Sequence, residues 1–428
     1  MKTALPAALL LVVFAVAELT SGQSPPQKFV PSPVKRSDLT VRLDPVGQIP
    51  TKTNPNSPVV AGADLLLVDE SGYIYRWDGS SARELINPKS VPKDLALLGP
   101  EPLVNVAANA AGSKLYVVFV SSKLPTGVKV SPVRDPIDLF LRSETGWYVV
   151  YEYAYERGEL SGPKPIIALR ARWDGHLGGG LIVLDDGALL FAAGDNGDSY
   201  EDGGEYSQAL DSHLAKIVRI DTASAQARIV ARGVRNAQRL VATGAGDETR
   251  LMFIDDGGWA AEELNGIRLK DLLTAEPPLN FGWGRSKEDG KSREGTFYID
   301  RLGNSIGKIP AGELGFIEPV ADFGRVTTEP FGSSGPVISQ RSFSRITALF
   351  GDLVSGAVFA ITGSLSSTRQ DVFQVQLVDD QQRPITLKEL AGGQRPDPRF
   401  FNFPDGSAGV LVERTGRFYR VSEVTAAK

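Results

Sequence analysis

The feature that most constrains the fold is a repeated alternation of short apolar runs with tight polar turns. Residues 63–68 predict a strand, residues 69–72 (Asp-Glu-Ser-Gly) a turn, and residues 73–77 the returning strand. Residues 181–193 repeat this pattern around an Asp-Asp-Gly turn at 185–187. Short apolar runs joined by turns of this chemistry indicate β-hairpins.

Helix signals are few, and the best of them covers only residues 270–274. Strands that do not alternate with helices favour a closed or radially repeated all-β architecture. Spacing alone does not separate a propeller from a sandwich or a barrel, but 428 residues suit a propeller, since one blade takes roughly 40–50 residues. The other predicted strands are residues 114–120, 146–155, 214–220, 226–231, 250–254, 357–361, 372–377, 400–403, 409–412 and 417–421.

The N-terminus predicts export. Lys2 precedes an uncharged, mostly apolar run from residue 4 to residue 17, and this run ends in Ala-Val-Ala. We interpret residues 1–17 as a signal peptide, which directs the protein to the periplasm or the exterior. Because the run is too short to cross a bilayer comfortably, we expect no membrane span after cleavage.

Two further units follow the signal peptide. Residues 18–57 lack periodicity and predict a lead-in segment, whereas residues 58–428 predict a single β-propeller domain. Within the lead-in, residues 38–43 alternate well enough to form a strand that completes the last blade and covers its exposed edge. A loose tail is the alternative for this segment.

The composition narrows the possible chemistry. The chain has no cysteine, which excludes disulfides, thiolate metal sites and cysteine nucleophiles. Its only histidines are His176 and His213, so a three-histidine zinc site is excluded and any metal should be an oxygen-ligated ion, calcium first. The formal net charge of −5, spread along the chain, makes nucleic acid an unsuitable partner.

A histidine followed by glycines is the first candidate catalytic group. His176 precedes the triple glycine at 178–180, and glycines let backbone and ligand approach closely. The carboxylates of Asp174 and Asp195 are candidates to orient its imidazole, as a general base requires. The alternative is an ordinary turn histidine in a glycine-rich loop.

Two clusters that follow are candidate binding sites. Arg235 and Asn236 offer a planar cation and an amide, which suit a carboxylate or quinone oxygen; a loop between blades with a surface ion pair is the alternative. Residues 254–265 combine carboxylates, glycines and an asparagine, the all-oxygen set that calcium prefers, or they form an acidic turn that binds nothing.

Later in the chain, Trp283 lies in an Asn-Phe-Gly-Trp-Gly-Arg segment that is typical of a sugar-stacking loop, with a packed core tryptophan as the alternative. Arg395 and Arg399 lie on one predicted loop, where they would hold an anionic ligand or be solvated.

Taken in order, these clusters resemble the glucose/sorbosone dehydrogenase family, soluble sugar dehydrogenases that use pyrroloquinoline quinone (PQQ) and calcium on a six-bladed β-propeller. The resemblance runs from about residue 176 to residue 421 and is strongest over residues 176–283. The matching segments are His-x-Gly-Gly-x-Leu (176–181), Gly-Asp-x-Gly (194–197), Arg-Asn-x-Gln-x-Leu (235–240), the acidic segment 256–265 and Asn-Phe-Gly-Trp (280–283).

The resemblance implies a role for each matched residue. His176 would take the proton of the sugar's anomeric hydroxyl, while the carbon's hydride passes to the quinone. Asp195 would orient His176, and Arg235 and Asn236 would bind the quinone and stabilise its developing charge.

It also implies a metal and a carboxylate clamp. Backbone carbonyls of Gly257 and Gly258, with Glu263 nearby, would hold Ca²⁺ against the cofactor. Arg395 and Arg399 would neutralise the carboxylates of PQQ.

The sequence departs from the family pattern at three places. The early Gly-Gln-Gly-Gly-Leu is missing, and residues 99–103 are the nearest stretch. Val354 occupies the position of a cofactor-binding lysine, and Arg239 replaces a glycine. These differences fit a different substrate or a propeller without catalysis.

Three functional hypotheses follow. The first is a periplasmic or secreted PQQ- and calcium-dependent dehydrogenase that oxidises a sugar or polyol and passes electrons to an acceptor. The second is a non-catalytic secreted propeller that binds a glycan or a protein. The third is a calcium-dependent, lactonase-like hydrolase, which needs a carboxylate-rich calcium cage.

Overall fold

The structure, a computed structural model, describes most of the chain beyond the predicted signal peptide, which lies outside the described residues together with Asp174. The described ranges are residues 32–50, 55–99, 101–132, 144–173, 175–197, 205–258, 261–284, 292–299, 305–312, 315–324 and 332–424.

Strands dominate these residues. The first half of the described chain contains β1 (Lys35–Gln48), β2 (Pro55–Ala61), β3 (Asp64–Asp69), β4 (Tyr73–Trp77), β5 (Ala82–Ile86), β6 (Leu103–Ala108), β7 (Lys114–Ser121), β8 (Lys129–Val130), β9 (Glu144–Glu156), β10 (Glu159–Trp173), β11 (Gly178–Val183), β12 (Leu189–Ala193), β13 (Lys216–Asp221) and β14 (Gln226–Arg232). The second half contains β15 (Val241–Thr243), β16 (Arg250–Asp255), β17 (Ala261–Arg268), β18 (Leu279–Asn280), β19 (Ser292–Glu294), β20 (Phe297–Ile299), β21 (Ser305–Lys308), β22 (Ala321–Gly324), β23 (Ser333–Val337), β24 (Ala348–Asp352), β25 (Val358–Ile361), β26 (Phe373–Val378), β27 (Pro398–Asn402), β28 (Ala408–Val412) and β29 (Arg417–Glu423).

Helices are short in the part of the chain that the structure describes. They are α1 (Glu205–Gln208), α2 (Leu269–Thr274) and α3 (Leu387–Leu390). The predicted nearly all-β fold is confirmed, and α2 is the predicted helix at 270–274. No helix in the described ranges is long and apolar enough to cross a membrane.

The strands form several sheets in which neighbours along the chain pair as antiparallel hairpins. Their orders are β2-β3-β4-β5, β6-β7-β9-β10-β8, β11-β12-β13-β14-β18, β15-β16-β17-β22, β19-β20-β21 and β23-β24-β25-β26-β1-β29-β28-β27. The predicted hairpins at 63–77 and 181–193 are β3-β4 and β11-β12. Turn chemistry at Asp69-Glu70-Ser71-Gly72 explains the first, since Gly72 takes φ 107° and its N–H donates to the Asp69 carbonyl.

Residues 38–43, which the sequence left open as a strand or a loose tail, form part of β1. It pairs in parallel with β26 and antiparallel with β29, where Leu43 lies opposite Val421. Its alternating side chains Leu39, Val41 and Leu43 are buried. The first described strand therefore joins strands from the last part of the chain.

Contacts between sheets decide where a central space lies: they involve one edge strand of each of three sheets, both edges of the largest sheet, and the inner strand β16. β2 lies against β6 and β27, β6 against β11, and β23 against β27 and β16. Amide side chains bridge these neighbours: Asn56 Nδ2 donates to Val104 O (3.2 Å), Asn105 Nδ2 to Gly179 O (2.5 Å) and Asn402 Nδ2 to Ile338 O (3.0 Å). The bridged edges surround a common centre.

Apolar layers fill the space between successive sheets. In one of them, Tyr148 of β9 meets Phe191 of β12 edge to face, with ring centroids 5.1 Å apart, and both rings are fully buried. Full burial of a large apolar side chain contributes about 1.5–3 kcal/mol. This layer matters for the site because the hydroxyl of Tyr148 reaches the loop that carries His176.

Candidate active site

A polar cleft opens at one end of the central space. It consists of a cavity of about 500 Å³ and a neighbouring cavity of about 390 Å³, and His176, Asn236, Gln238 and Arg395 line both. His176 therefore stands between two compartments that together have room for a cofactor and a small substrate.

The His176 loop is held in a strained conformation at the start of β11. His176 has φ 45°, in the left-handed region that non-glycine residues rarely adopt. Its carbonyl accepts from Asn196 N (3.3 Å) and Asn196 Nδ2 (3.2 Å), and a Cβ at residue 194 would lie 1.8 Å from that carbonyl, so Gly194 is required here. Tyr148 fixes the next residue by donating its hydroxyl to Leu177 O (2.9 Å). Strain maintained in this way is common at functional sites.

A buried carboxylate orients the histidine. Nδ1 of His176 lies 3.0 Å from Oδ1 of Asp195; the histidine side chain is 38% exposed and the aspartate 1%. The carboxylate also accepts from Gly197 N (3.1 Å) and from Trp283 Nε1 (3.0 Å). Since Asp195 accepts from Nδ1, the neutral ring carries its proton there and leaves Nε2 as a hydrogen-bond acceptor at the edge of the cleft.

Arg235 lies on the other side of the ring. Its Nη2 donates to Nε2 of His176 (3.1 Å), and its Nη1 donates to the carbonyls of Asp256 and Gly257 (3.1 Å each). Its Nε is 3.8 Å from Oδ2 of Asp195. Asp195, His176 and Arg235, predicted as the catalytic residues, therefore form one continuous polar chain.

Two adjacent aspartates position the Arg235-Asn236 turn. Asp255 accepts from the backbone N–H groups of Arg235 (2.9 Å) and Asn236 (2.8 Å). Asp256 accepts from Asn236 Nδ2 (2.9 Å), Gln238 Nε2 (3.3 Å) and Ser333 N (2.7 Å). Burial raises the pKa of both carboxyl groups, most strongly that of Asp255, which also has Glu263 nearby. Asn236 donates to Asp256 and accepts from Gly178 N (3.1 Å), so its amide orients the glycine loop.

The predicted metal ligands are placed as follows. Gly257 lies beside the cleft, but its carbonyl accepts from Arg235; a Cβ there would lie 1.6 Å from Ala261 O. Gly258 also lines the smaller cavity and packs against the ring of Trp283. Glu263 is buried in β17, where it accepts from Arg293 Nη2 (3.0 Å), Asn265 Nδ2 (3.1 Å) and Gly295 N (2.6 Å). Within the described residues, no three carboxylate or histidine groups are arranged to hold a metal.

The segment at residues 254–265, interpreted as a calcium ligand set or an acidic turn, contains parts of two paired strands. β16 ends at Asp255 and β17 begins at Ala261, and Glu263 lies opposite Asp255 across this strand pair. The two glutamates, Glu262 and Glu263, are adjacent and both buried, so no alternation of apolar and polar residues marked this strand in the sequence. The metal roles of Gly257, Gly258 and Glu263 stay predictions.

Trp283 is not an exposed sugar platform. Its side chain is 5% exposed, its indole N–H donates to Asp195, and the guanidinium of Arg235 lies 4.9 Å from the ring centroid. The alternative of a packed tryptophan describes this residue better, although its contacts connect it to the candidate site. A cation over an indole face stabilises both groups.

The two arginines predicted to clamp a cofactor differ. Arg395 is 54% exposed at the cleft and pairs with Asp397 (2.6 Å). Arg399 is mostly buried and pairs with Glu413 (2.8 Å) and with Oε1 of Gln238. Burial lowers the pKa of Arg399, but Glu413 and Glu70 outweigh this and raise it.

Several cleft residues were not predicted from the sequence. Glu70, Glu101 and Glu413 line the larger cavity, and burial raises the pKa of Glu70 to about 8 and of Glu413 to about 7. Glu70 comes from a hairpin turn, Glu413 directly follows β28, and Glu101 lies in the stretch 99–103 that stands nearest to the missing family motif, so no matched motif marks them. Gln238 also lines the cleft, and its place in the matched Arg-Asn-x-Gln segment was the one sequence signal for a further cleft residue.

Comparison with known proteins shows the fold. No protein-family profile and no curated protein matches this sequence. Among solved structures, a PQQ-bound aldose sugar dehydrogenase from Streptomyces coelicolor is 18% identical, with a TM-score of 0.58, over 92% of this chain and 100% of that chain. A glucose dehydrogenase is 17% identical (TM-score 0.57; 90% and 99% covered), and a calcium structure of a Trichoderma reesei member of carbohydrate-active enzyme family AA12 is 14% identical (TM-score 0.52; 93% and 98% covered). The predicted resemblance to sugar dehydrogenases is confirmed in the fold of this divergent chain.

Proposed function

We propose that this chain is an exported oxidoreductase that oxidises a sugar or polyol with PQQ as cofactor. The observation that carries the proposal is the polar chain Asp195–His176–Arg235 at the mouth of a two-compartment cleft. It stands on a fold shared with sugar dehydrogenases, although at identities of 14–18%.

His176 is suited to act as a general base. Nε2 accepts from Arg235 Nη2 in this structure; with that guanidinium turned to a bound cofactor, Nε2 would take the proton of a substrate hydroxyl, and loss of a hydride from the same carbon would leave a carbonyl. Asp195 stabilises the imidazolium that forms, since it already accepts from Nδ1 at 3.0 Å. Such general-base assistance is typically worth about 10²–10⁴ in rate.

PQQ, when bound, supplies a quinone carbonyl that accepts the hydride, and an external electron acceptor then completes the cycle. Arg235 fits this group because its guanidinium presents a planar, permanently charged edge beside His176. Arg395 fits a cofactor carboxylate because it is exposed and lines both compartments. Arg399 already neutralises Glu413, so its contribution would be indirect.

Calcium, which the resemblance also implies, fits the contacts less well. The Gly257 carbonyl is engaged by the Arg235 cation, and Glu263 by Arg293. A metal at Gly257 and Glu263 does not fit while these bonds persist, so no step proposed here depends on a metal.

The substrate side would be the larger compartment. Glu70, Glu101 and Asn56 line it next to His176, and carboxylates and amides are the groups that accept and donate hydrogen bonds to sugar hydroxyls. A polyhydroxylated substrate suits this lining better than an apolar one.

The sheets support a six-bladed propeller as part of the proposal. In this interpretation the eight-stranded sheet contains two blades, β23 to β26 and β27 to β29 with β1, joined along the contact of β1 with β26. The small sheet β19-β20-β21 is then an insertion between β17 and β22.

The test is reconstitution of the purified mature protein with PQQ, with and without Ca²⁺, under an artificial electron acceptor and a panel of aldoses and polyols. Oxidation of a sugar that depends on PQQ supports the proposal. Binding of PQQ without turnover of any substrate would instead favour the non-catalytic propeller. The proposal would be overturned if the protein neither binds PQQ nor turns over any substrate.

A further inference from the structure

A third cavity lies in the central space next to the cleft. Its volume is about 310 Å³, and edge strands β2, β6, β11 and β15 contribute to its wall together with Asn402 of β27. Gln238 borders this cavity and both compartments of the cleft, so it separates them. The cavity is therefore distinct from the candidate active site.

Arg239 is the one charged residue among the described residues that line this cavity. Its Nε donates to Pro336 O at 3.2 Å, and its Nη2 approaches Asn402 Oδ1 at 3.5 Å. Both acceptors are neutral, the second contact is long, and Nη1 has no bond to any described residue. The rest of the lining is apolar or carries amide and hydroxyl groups, such as Asn105 and Ser57.

This arrangement leaves a partly buried positive charge without a counter-charge among the described residues. Burial lowers the pKa of Arg239 to about 10, so the guanidinium remains protonated at neutral pH. The buried or partly buried arginines of the cleft, by contrast, have carboxylate neighbours: Arg235 has Asp195 and Arg399 has Glu413. Because a partly desolvated charge without a counter-ion is costly, such a site favours a mobile anion that enters from solvent.

We infer that the central cavity binds a small monovalent anion of the halide class, chloride in the cell, at the guanidinium of Arg239. The free Nη1 and the weakly bonded Nη2 give two adjacent donors on one edge of the guanidinium. The apolar side chains Val59, Val106 and Leu240 leave few further donors for a large oxyanion, whereas a compact anion needs only a few. The inference does not rest on the proposed catalytic function.

The first experiment is thermal unfolding of the wild-type protein in sodium chloride, sodium bromide and sodium gluconate at equal ionic strength. We expect chloride and bromide to raise the melting temperature saturably by at least about 2 °C over gluconate, since an ion that binds only the folded state stabilises it. Arg239→Gln should lose this difference. Arg369→Gln, which removes an arginine paired with Glu318 (2.9 Å), should keep it.

A second measurement does not depend on the variants' folding. Crystals of the wild-type protein grown or soaked in bromide should show an anomalous peak within hydrogen-bond distance of Arg239 Nη1. A melting temperature that is equal in all three salts, or a chloride effect that persists in Arg239→Gln, would overturn the inference. So would bromide found only on the protein surface.

Discussion

The indole Nε1 of Trp283 lies 3.0 Å from Oδ2 of Asp195, although 88 positions separate the two residues in sequence. The other oxygen of the same carboxylate, Oδ1, accepts a hydrogen bond from Nδ1 of His176. A buried tryptophan therefore supports, through one aspartate, the ring that faces the cleft. Loss of this one hydrogen bond should change the reaction more than it changes the fold.

Trp283→Phe keeps an aromatic ring under Arg235 but removes the indole donor to Asp195. We expect kcat of the proposed sugar oxidation to fall about tenfold, the equivalent of roughly 1.4 kcal/mol, with little change in KM. Steady-state kinetics checks this. Trp77→Phe, in a ring that packs on Phe418 away from the cleft, is the control and should leave kcat unchanged.

His176→Gln should lower turnover by about 10²–10⁴ while PQQ binding persists, since it removes the general base and leaves Arg235 in place. His213→Gln is the matched variant. His213 is buried, bonds to Ser131 (3.3 Å), and burial lowers its pKa to about 4, so it stays neutral away from the cleft. We expect it to lower the melting temperature and to keep the turnover per folded molecule. Equal turnover in wild type and His176→Gln would show that the base is elsewhere.

Calcium alone should leave the melting temperature of the cofactor-free protein unchanged. The reason is that Arg235 Nη1 already donates to the Gly257 carbonyl and that Arg293 pairs with Glu263. Differential scanning fluorimetry with calcium and with a chelator measures this effect. A saturable rise with calcium in the absence of PQQ would contradict the contacts and restore the predicted ligand set.

Glu70 should make stability depend on pH. Burial raises its pKa from 4.5 to about 8, so the folded protein keeps a proton that the unfolded chain has released. This contribution is complete below pH 4.5 and is lost as the pH rises through about 8. We therefore expect the free energy of unfolding to fall over this range in the wild type and to fall less in Glu70→Gln.

Denaturant unfolding at several pH values between 4.5 and about 8 gives the slope of the free energy of unfolding against pH. Glu413 contributes in the same direction because burial raises its pKa to about 7, so Glu70→Gln should flatten the slope only in part. Glu84→Gln, at an exposed position on β5, is the control and should retain the wild-type slope. A slope in Glu70→Gln as steep as in the wild type would show that this proton is held elsewhere.

Mass spectrometry of the protein from its native host should find a mature N-terminus between residues 18 and 24. The expected cause is cleavage after the apolar run and the small residues near residue 17. An intact Met1 in the cytoplasmic fraction would contradict export.

Local patterns predicted much of the fold, because hairpins are short-range structures. The turn at Gly72 and the alternation of Leu39, Val41 and Leu43 are visible in the sequence, and both are found in the structure. The pairing of β1 with β26 and β29 was left open since nothing local identifies a partner that is hundreds of residues away.

The candidate site divides in the same way. His176, Asp195 and Arg235 were predicted from motifs, and the structure brings them together. Glu70 and Glu413 could not be predicted, because they meet only when distant sheets pack around one centre. The same packing turned Trp283 inward, which depends on a buried acceptor that sequence spacing does not reveal.

The position of β1 constrains the order in which the strand pairings of the fold can form. This strand is among the first parts of the chain to be synthesised, yet its partners β26 and β29 are among the last. Contacts of such long sequence separation form slowly, because a long loop must close before they contribute. If the chain is exported unfolded, its first strand must wait on the far side of the membrane, with its edges exposed, until residue 423 has crossed. Chaperones that shield exposed strand edges would matter most in that interval.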